Sequence, residues 1–554
     1  MPSTILTFEA LAADIKSLGV ECVFGLMSDD TARFVTTLDA TGVRFHGTRH
    51  ENNAVAMAEG YAAASGRLGV AVIGRGPAAA NALHGATYAK RTGSRVLLIF
   101  GEAAYAAPTV RALGPDAKAF DTQGALRAAG IRSFVPTSGA HARQLLQDAV
   151  AATVDEGAVA LLLPADVQGQ ALDPEHTRPL PRPSPAWVAL PPRPAALQLA
   201  SALLGKSRKP LIIAGKGAVL AGAREDLVAL ADHLGAALAT TLKARGMFSG
   251  HALDCGIVGS FSHSGGRRVM EQADCILVVG AGLNQHTTSH GLALPSGVPL
   301  IQVDRSAEAI GRWCPVDLAV VADVRLTAQA LLAAIPPRSE DVMPLRSTSL
   351  QQQLAGFDMA SEFVPAHTPR TVDPRVLAIE LDRLLPPERN TVYDAGNFLQ
   401  VVPYMRVQGP GHFKMSADFS SIGMGFGTAL GFARGAPDRP TVLFIGDGSF
   451  LMTLGELETV AREDIGLVIV VMNDCAYGAE LHYLKQIDMP VGMSVFPDVD
   501  FAPVAAAFGF QTATVRTMEE LRALAPLLAK PDGPILIDCK INAAIAAPFM
   551  LGKK

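Results

Sequence analysis

Two acidic side chains follow neighbouring apolar runs in the C-terminal third of the chain, where they could bind a metal ion. Gly446-Asp447-Gly448-Ser449 comes directly after the run Thr441–Ile445, and Asp474 follows the run Leu467–Val471. A strand end with open backbone amides can bind a diphosphate, and carboxylate oxygens bind hard cations such as Mg²⁺. The 27 residues from one aspartate to the other leave room for one helix and one strand. We therefore expect both carboxylates to reach one Mg²⁺, although an isolated Gly-Asp-Gly would more simply be a turn.

The elements that must position these side chains are short apolar runs that alternate with helical patterns along the whole chain. Uninterrupted apolar runs separated by helices are typical of parallel strands that are buried between helices on both faces. The sequence therefore predicts an α/β protein with three doubly wound parallel-sheet domains. The predicted strands are Cys22–Gly25, Val70–Ile73, Val96–Phe100, Pro210–Ala214, Cys275–Val279, Pro299–Val303, Thr441–Ile445, Leu467–Val471 and Pro534–Asp538.

Two segments of distinct composition divide the chain. Seven of the sixteen residues from Pro179 to Pro194 are proline, which favours an extended crossing between domains. From Pro336 to about Pro374 the sequence is polar and contains Ser, Gln and Pro. The predicted domains are residues 1–180, 190–335 and 370–554, and active sites are expected at the carboxyl ends of their strands.

The composition excludes several classes of protein. The 554 residues are 49% hydrophobic and 18% charged, and the net charge of −5 comes from 47 basic and 52 acidic residues. Without a basic patch, nucleic acid is not an expected partner. The six cysteines are scattered singly, the start does not resemble a secretory signal, and the apolar runs are too short to cross a membrane. We expect a cytoplasmic enzyme that acts on small molecules.

The C-terminal acidic segment resembles the thiamin-diphosphate-binding motif of the superfamily of acetolactate synthase, pyruvate decarboxylase and benzaldehyde lyase. The resemblance covers Gly446-Asp-Gly-Ser-Phe through Asn473-Asp474. It implies that Asp447, Asp474 and the carbonyl of Ala476 bind Mg²⁺. The family usually has Asn where this chain has Asp474, which adds a negative charge beside the diphosphate. The cofactor contacts expected near the metal are Gly446, Gly448, Ser449 and Tyr477.

A second segment, Arg49-His50-Glu51 and the residues up to Tyr61, resembles the family's Arg-His-Glu segment. The resemblance implies that Glu51 is the catalytic carboxyl group that protonates N1′ of the cofactor's pyrimidine. The 4′-amino group can then, as an imine, accept the proton of thiazolium C2, which leaves the ylid as nucleophile. Alone, Glu51 could equally be an ordinary first-turn glutamate favoured by a helix dipole.

Further matches extend the resemblance over nearly the whole chain. Asp394-Ala-Gly-Asn-Phe398 looks like the loop that caps the diphosphate, which implies cofactor contacts from Gly396, Asn397 and Phe398. Ser421-Ile-Gly-Met-Gly-Phe-Gly427 looks like the strip that bends the cofactor. There Met424 would be the bulky apolar residue and the backbone carbonyl near Ile422 would bind the 4′-amino group. Without the flanking glycines, Met424 would be read as a core residue.

The residues that would select the substrate are less distinctive. Asp29 falls where pyruvate decarboxylases have an acidic residue, but their neighbouring His-His pair is absent from this sequence. The pattern Gly478-Ala-Glu-Leu-His482 is similar to benzaldehyde lyase, so Glu480 and His482 could face the substrate. The alternative is that this helix only packs on its partner and that both side chains are solvated.

The central segment has two glycine pairs after predicted strands, Gly215-Lys-Gly and Gly280-Ala-Gly. Neither completes a Gly-x-Gly-x-x-Gly motif, and a tight strand-to-helix turn explains them sufficiently. FAD or another nucleotide in this domain is therefore an alternative that the sequence does not favour. The same glycines suggest the competing class, a flavin- or nicotinamide-binding oxidoreductase. A non-catalytic paralogue is the other alternative, against which the intact Glu51 and Asp447 argue.

The sequence thus predicts a thiamin diphosphate- and Mg²⁺-dependent lyase or transferase. It would decarboxylate a 2-oxo acid, or form or cleave a C–C bond in a 2-hydroxy carbonyl compound, as a decarboxylase or carboligase. The expected substrates are 2-oxo acids, aldehydes or 2-hydroxy ketones. The resemblance also implies a homodimer or homotetramer in which Glu51 and the diphosphate site come from different subunits.

Overall fold

The computed structural model describes residues 5–105, 116–173, 188–338 and 343–548. The described strands form three six-stranded sheets, and the strand pairs within each sheet are parallel. Alternate residues of a strand enter different cores: Ala71 and Ile73 pack in one apolar cluster, and Val70 and Val72 in another. Because both faces of the sheets are buried, the strands read as continuous apolar runs. The predicted α/β fold of three doubly wound sheets is confirmed.

The first sheet has the strand order β2-β1-β3-β4-β6-β5. Its strands are β1 (Cys22–Gly25), β2 (Arg44–Gly47), β3 (Gly69–Ile73), β4 (Val96–Glu102), β5 (Ser133–Phe134) and β6 (Ala158–Pro164). The helices around it are α1 (Thr7–Ser17), α2 (Ala32–Ala40), α3 (Glu51–Ser65), α4 (Pro77–Thr92), α5 (Thr122–Ala128), α6 (Gly139–Glu156) and α7 (Ala165–Gln168).

The second sheet has the order β12-β11-β10-β7-β8-β9. Its strands are β7 (Pro210–Ala214), β8 (Ala237–Thr240), β9 (Asp254–Ile257), β10 (Cys275–Val279), β11 (Leu300–Asp304) and β12 (Leu318–Val321). Its helices are α8 (Pro194–Lys206), α9 (Lys216–Leu220), α10 (Arg224–Leu234), α11 (Ser264–Met270) and α12 (Val324–Ala334), and α13 (Thr348–Ala355) follows.

The third sheet has the order β14-β13-β15-β16-β18-β17. Its strands are β13 (Asn390–Tyr393), β14 (Phe413–Met415), β15 (Thr441–Gly446), β16 (Leu467–Asn473), β17 (Gln511–Val515) and β18 (Ile535–Lys540). Its helices are α14 (Pro374–Leu384), α15 (Gly425–Gly435), α16 (Asp447–Thr453), α17 (Glu456–Arg462), α18 (Gly478–Gln486), α19 (Ala502–Ala506), α20 (Met518–Ala523) and α21 (Ala525–Ala529).

The three sheets fall within the three predicted segments, while the domain boundaries themselves stay a prediction. Residues 179–187 of the proline-rich linker lie outside the described residues. The polar segment after residue 336 contains α13, and its Leu345, Leu350 and Leu354 pack on the apolar core of the second sheet. No helix in the four described ranges is long and apolar enough to span a membrane.

Helices α3 and α15 join the first and third sheets by a close parallel contact. A Cβ atom at Gly435 would lie 2.8 Å from the carbonyl oxygen of Tyr61, and one at Gly427 would lie 2.9 Å from Cβ of Ala56. A Cβ atom at Gly431 or at Gly60 would overlap a backbone carbonyl of the opposite helix. Only glycine allows backbones to approach this closely. The contact also aligns the N-terminal turns of the two helices.

A buried ion pair lies at the same junction. Glu59 on α3 is fully buried and pairs with Lys414 of β14, and the hydroxyl of Ser94 donates to Glu59 at 2.7 Å. Burial favours the neutral acid, but the charge and hydrogen bond of Lys414, the hydrogen bond of Ser94 and the charge of Lys216 together hold the pKa of Glu59 below its ordinary value. The second sheet contributes Lys216, which donates to the carbonyl of Thr92 at 2.6 Å. Charges from all three sheets therefore meet behind α3.

Replacing Gly431 by Ala should destabilise the protein, because the new methyl group must displace the backbone of Met57. Overpacking of this kind costs about 1–3 kcal/mol, and a rigid backbone neighbour places the cost at the upper end. The matched control is Gly205→Ala in α8, where a Cβ atom meets nothing within 4 Å and should be neutral or stabilising by up to about 1 kcal/mol. Urea unfolding midpoints of both variants measure the difference. Equal midpoints would contradict the packing argument.

Candidate active site at the junction of the first and third sheets

Asp447 and Asp474 lie at one edge of the third sheet. Asp447 is the first residue of α16, directly after β15, and Asp474 follows β16, the strand that pairs with β15. Burial raises the pKa of Asp447 to about 7. Burial, followed by the charge of Asp447, raises that of Asp474 to about 8. The groups that hold these pKa values down are backbone amides, and that of Ala476 contacts both carboxylates.

A buried carboxylate and a partly buried one that repel each other fit a hard divalent cation. The structure has no group of three or more His, Cys, Asp or Glu side chains suited to a metal ion within the ranges it describes. A cation between Asp447 and Asp474 would therefore depend on two carboxylates, backbone oxygens and an additional ligand. Mg²⁺ commonly binds in this way, with one or two carboxylates, waters and substrate phosphates.

Glycines and aromatic rings shape the surface beside this pair. A Cβ atom at Gly448 would lie 2.7 Å from the ring of Tyr477, and one at Gly478 would lie 2.5 Å from Oδ2 of Asp474. The ring of Phe398 lies 3.6 Å from where a Cβ atom of Gly446 would be. The loop that carries Phe398 is thus adjacent to Gly446 and the start of α16. The structure brings the predicted loop and both predicted metal ligands to one place.

The side chain of Asn397 binds the C-terminal segment, and the cofactor contacts of Gly396 and Asn397 stay predictions. Its side-chain amide donates to the carbonyl of Ile545 at 2.9 Å and its Oδ1 accepts from the amide of Ala547 at 2.8 Å. Asn397 therefore fastens the C-terminal segment over the loop. Gly396 beside it has φ +153°, a conformation that favours glycine.

Asp394 is a buried carboxylate that holds the strip around Met424. Its two oxygens accept from the amides of Gly423 at 2.9 Å and Gly425 at 3.2 Å. The hydroxyl groups of Ser416, at 3.0 Å, and of Ser449 also donate to it. Burial raises the pKa of Asp394 to about 6, against these hydrogen bonds. Asp394 therefore fixes the backbone on both sides of Met424, a role that the sequence reasoning missed.

Glu51 is the first residue of α3, the helix whose Asn53 and Ala56 contact Gly427 of the same chain. Its side chain is nearly buried, and Asn81 of α4 donates to its Oε2 at 3.1 Å. Met424 packs against Ala56 and Tyr88 of the first domain. The parallel contact of α3 with α15 thus places Glu51 and Met424 at the same end of the helix pair.

Asp29 follows β1, at the strand edge that also carries Glu51. Its side chain is 79% exposed and forms an ion pair with Lys118, which lowers the pKa of Asp29. Lys118 also contacts Asp30 at 3.0 Å, and Arg75 bridges Asp30 and Asp116. The predicted catalytic acid is therefore one member of a surface network of charges.

Glu480 and His482 of α18 do not share an environment. Glu480 is exposed, whereas His482 is 7% exposed and contacts the backbone of Ile545. Burial lowers the pKa of His482, and its Nε2 has no hydrogen-bond partner in the part of the chain that the structure describes. Residues two apart on a helix point in different directions, so this separation follows from the helix itself.

The glycine pairs of the central sheet pack against each other. The amide of Gly217 donates to the carbonyl of Gly280 at 2.9 Å, and a Cβ atom at Gly217 would lie 2.7 Å from Cα of Gly280. Close backbone packing therefore accounts for these glycines. Lys216, between Gly215 and Gly217, donates to the carbonyl of Thr92. FAD in this domain is not supported.

The chain belongs to the thiamine pyrophosphate enzyme family. Three family models match it in order: the N-terminal thiamine pyrophosphate-binding domain at residues 6–119, the central domain at 197–331 and the C-terminal thiamine pyrophosphate-binding domain at 394–539. The protein is therefore an enzyme that depends on this cofactor, thiamin diphosphate. The match supports neither an oxidoreductase nor a non-catalytic paralogue.

Several full-length relatives carry names of different reactions. A sulfoacetaldehyde acetyltransferase from Rhodobacter capsulatus is 29% identical over 98% of this chain and 95% of the relative. A probable acetolactate synthase large subunit from Methanocaldococcus jannaschii is 27% identical over 98% and 93%. A probable 2-ketoarginine decarboxylase from Pseudomonas aeruginosa is 28% identical over 94% and 91%. A crystal structure assigned as a thiamin diphosphate-dependent enzyme from Mycobacterium smegmatis shares the fold, with TM-score 0.78, 20% identity and coverage of 97% and 99%.

The buried carboxyl group of Asp394 should make stability depend on pH. Its folded pKa of about 6 lies above the ordinary 3.8, so its contribution is full below pH 3.8 and is lost as the pH rises through 6. Relative to Asp394→Asn, which does not titrate, the wild type should lose up to about 3 kcal/mol between pH 4 and pH 7. Urea unfolding across this range measures the difference, and a constant difference would contradict the raised pKa.

Proposed function

We propose that this enzyme uses thiamin diphosphate and Mg²⁺ to form or break the C–C bond next to a carbonyl group. Its substrates would be 2-oxo acids, aldehydes or 2-hydroxy ketones. The Asp447–Asp474 pair, one carboxylate buried and the other partly buried, is the observation that carries the proposal. Beside Gly446 and Ser449, at the open end of β15, this pair supplies the negative charge that a cation requires, and the cation would in turn neutralise a diphosphate.

Each residue of the proposed site has a distinct task. Asp447, Asp474 and the carbonyl of Ala476 would hold Mg²⁺, while Gly446, Gly448 and Ser449 would face the diphosphate. Phe398 and Tyr477 would close the diphosphate end of the site. Thiamin diphosphate, when bound, supplies the carbon nucleophile that adds to a carbonyl group.

At the other end, Glu51 would exchange a proton with N1′ of the pyrimidine. Asn81 holds the glutamate in place, and the buried surroundings of Glu51 limit competition from water. Met424 would support the bent cofactor, and the carbonyl of Ile422 would accept from the 4′-amino group. Asp394 keeps this strip in position from behind.

The relatives support a lyase or transferase reaction of this general type. Their names include a synthase, an acetyltransferase and a decarboxylase, and each name implies a bond made or broken at an acyl carbon. Asp29, Glu480 and His482 stay candidates for contacts with the substrate. Asp29 and Glu480 are accessible, and Nε2 of His482 has no hydrogen-bond partner among the described residues.

We also propose a homodimer, or a tetramer of two dimers, with active sites shared between subunits. Exposed apolar side chains on and after α18, near the diphosphate residues, support a surface that a second subunit covers. They are Tyr483, Ile487, Met489, Met493 and Val495. Large exposed apolar patches of this kind are typical of interfaces. The helix that begins at Glu51, α3, also packs on α15 of its own chain. A site shared between subunits and a site within one chain therefore need a direct test.

Glu51→Gln should bind the cofactor with similar affinity but exchange the C2 proton about 10²–10⁴-fold more slowly, because the amide cannot exchange a proton with N1′. Proton NMR of the bound cofactor in deuterated buffer measures the rate. Glu9→Gln, at the first turn of α1, is the matched control and should exchange at the wild-type rate. An unchanged rate in Glu51→Gln would refute its role.

Asp447→Ala should lose Mg²⁺-dependent binding of thiamin diphosphate, because the bridging cation loses a carboxylate. Its unfolding midpoint without metal should be unchanged or higher, since one of two repelling buried carboxyl groups is gone. Asp474→Asn should retain binding, because the amide oxygen remains a ligand. Calorimetric titration with Mg²⁺ present and absent makes the comparison. Retained binding in Asp447→Ala would exclude the proposed metal site.

Mixed oligomers of Glu51→Gln and Asp447→Ala chains should regain activity if the sites are shared, because one site of each heterodimer then has both wild-type residues. The measurement is turnover of a 2-oxo acid after subunit exchange, with exchange verified by two affinity tags. Exchange without recovery, or an active monomer in sedimentation, would show that each chain has its own site.

A further inference from the structure

Helix α17 of the third sheet carries a buried carboxyl group that contacts the start of α3. Glu456 is the first residue of α17 and is 1% exposed. Its Oε1 accepts from the backbone amide of Arg49 at 3.0 Å and from the side-chain amide of Asn53 at 2.8 Å. These two donors lie on either side of Glu51 in the sequence. One oxygen atom from another domain therefore binds the chain both before and after Glu51.

The carboxyl group of Glu456 is itself held in one orientation. The hydroxyl of Thr459, one turn along α17, donates to its Oε2 at 2.6 Å, so both carboxyl oxygens accept hydrogen bonds. Burial raises the pKa of Glu456 against these hydrogen bonds. A buried carboxyl group costs stability where an apolar side chain would pack without that cost. Its presence at this contact therefore indicates a role beyond packing.

Further contacts fasten the same segment to α17. The side chain of Arg49 forms an ion pair with Glu458, and Nη2 of Arg462 donates to the carbonyl of Gly47 at 2.5 Å. These side chains of α17 and Arg49 are partly exposed, whereas Glu456 is buried. The segment that leads into α3 is thus bound to one helix at several points, and the buried point adjoins the first turn of α3.

We propose that Glu456 is a positioning residue that fixes the backbone at Glu51, and with it the carboxyl group that would exchange a proton with N1′. The inference rests on the proposed function, which assigns that exchange to Glu51. The contacts of Glu456 with the start of α3 lie within one chain. They would hold Glu51 equally whether the diphosphate of its site belongs to the same chain or to the partner subunit. Glu456 begins the helix after α16, which carries Asp447, yet it would serve the half of the site that Glu51 supplies.

The test compares two substitutions of Glu456 with a matched control. Glu456→Met removes the acceptor and keeps a side chain of similar length. Glu456→Gln keeps an oxygen that accepts from Arg49 and Asn53, and its NH₂ group can donate to the hydroxyl of Thr459. Glu458→Gln, on the same helix, alters only partly exposed ion pairs with arginine side chains. Proton NMR in deuterated buffer measures exchange of the C2 proton, and calorimetry with Mg²⁺ measures affinity for thiamin diphosphate.

Glu456→Met should slow exchange of the C2 proton about 10–100-fold, because displacing a reacting group by about 1 Å can cost that much. Its affinity for thiamin diphosphate should stay within about threefold of the wild type's, since the metal and diphosphate contacts are unchanged. Glu456→Gln and Glu458→Gln should exchange within about threefold of the wild-type rate. In a Glu51→Gln background, Glu456→Met should cause no further slowing, because it acts only through Glu51.

Four results would overturn the inference while Glu51 keeps its proposed role. These are a wild-type rate in Glu456→Met, a loss of affinity as large as the loss of rate, a Glu456→Gln variant as slow as Glu456→Met, and undiminished slowing in the Glu51→Gln background. If Glu456→Met does not fold, Asn53→Ala removes a donor to the same oxygen, and a wild-type rate in that variant overturns the inference. A wild-type rate in Glu51→Gln itself would refute the proposed function of Glu51 and this inference together.

Discussion

The backbone-to-backbone contact of α3 with α15 is the constraint on which the site depends. Gly60, Gly427, Gly431 and Gly435 remove the side chains that would hold the helices apart. Because the helices are parallel, closeness along their length also aligns their first turns. The first turn of α3 carries Glu51, and the first turn of α15 follows Met424. Both residues are expected at a pyrimidine. With sites shared between subunits these two residues serve different sites, so a change in the separation of α3 and α15 would shift Glu51 of one site relative to Met424 of the other.

Charge is distributed unequally around this contact. Behind α3, Glu59 is balanced by Lys414, and at the edge of the third sheet Lys540 lies 2.9 Å from both Asp538 and Asp498. Asp538 in turn accepts from Asn473, the residue before Asp474, at 2.9 Å. Within the described residues neither Asp447 nor Asp474 forms an ion pair, and the charge of Asp447 raises the pKa of Asp474. The protein thus pairs Glu59 and Asp538 with lysines and keeps an unfavourable pair where a cation would bind, as functional sites commonly do.

Sequence reasoning predicts well the strands and strand ends that follow from a local pattern. The run Leu467–Val471 lies inside β16, and Asp447 and Asp474 lie at the strand ends that their spacing indicated. Contacts between distant residues escape such reasoning. Asp394 follows a strand as Asp447 does, but nothing local shows that its carboxylate binds Gly423 and Gly425. His84 is an isolated histidine in an Ala-rich helix, and its contact with Ser421 joins residues from different domains.

The position of the two packed helices in the chain has a consequence during synthesis. About 360 residues separate the end of α3 from the start of α15, which at about 5–20 residues per second takes a ribosome roughly 20–70 s. During that time α3 has folded next to its own sheet but lacks α15, the helix that covers the face around Gly60. The nascent chain therefore exposes a smooth apolar groove, with Glu59 still without Lys414.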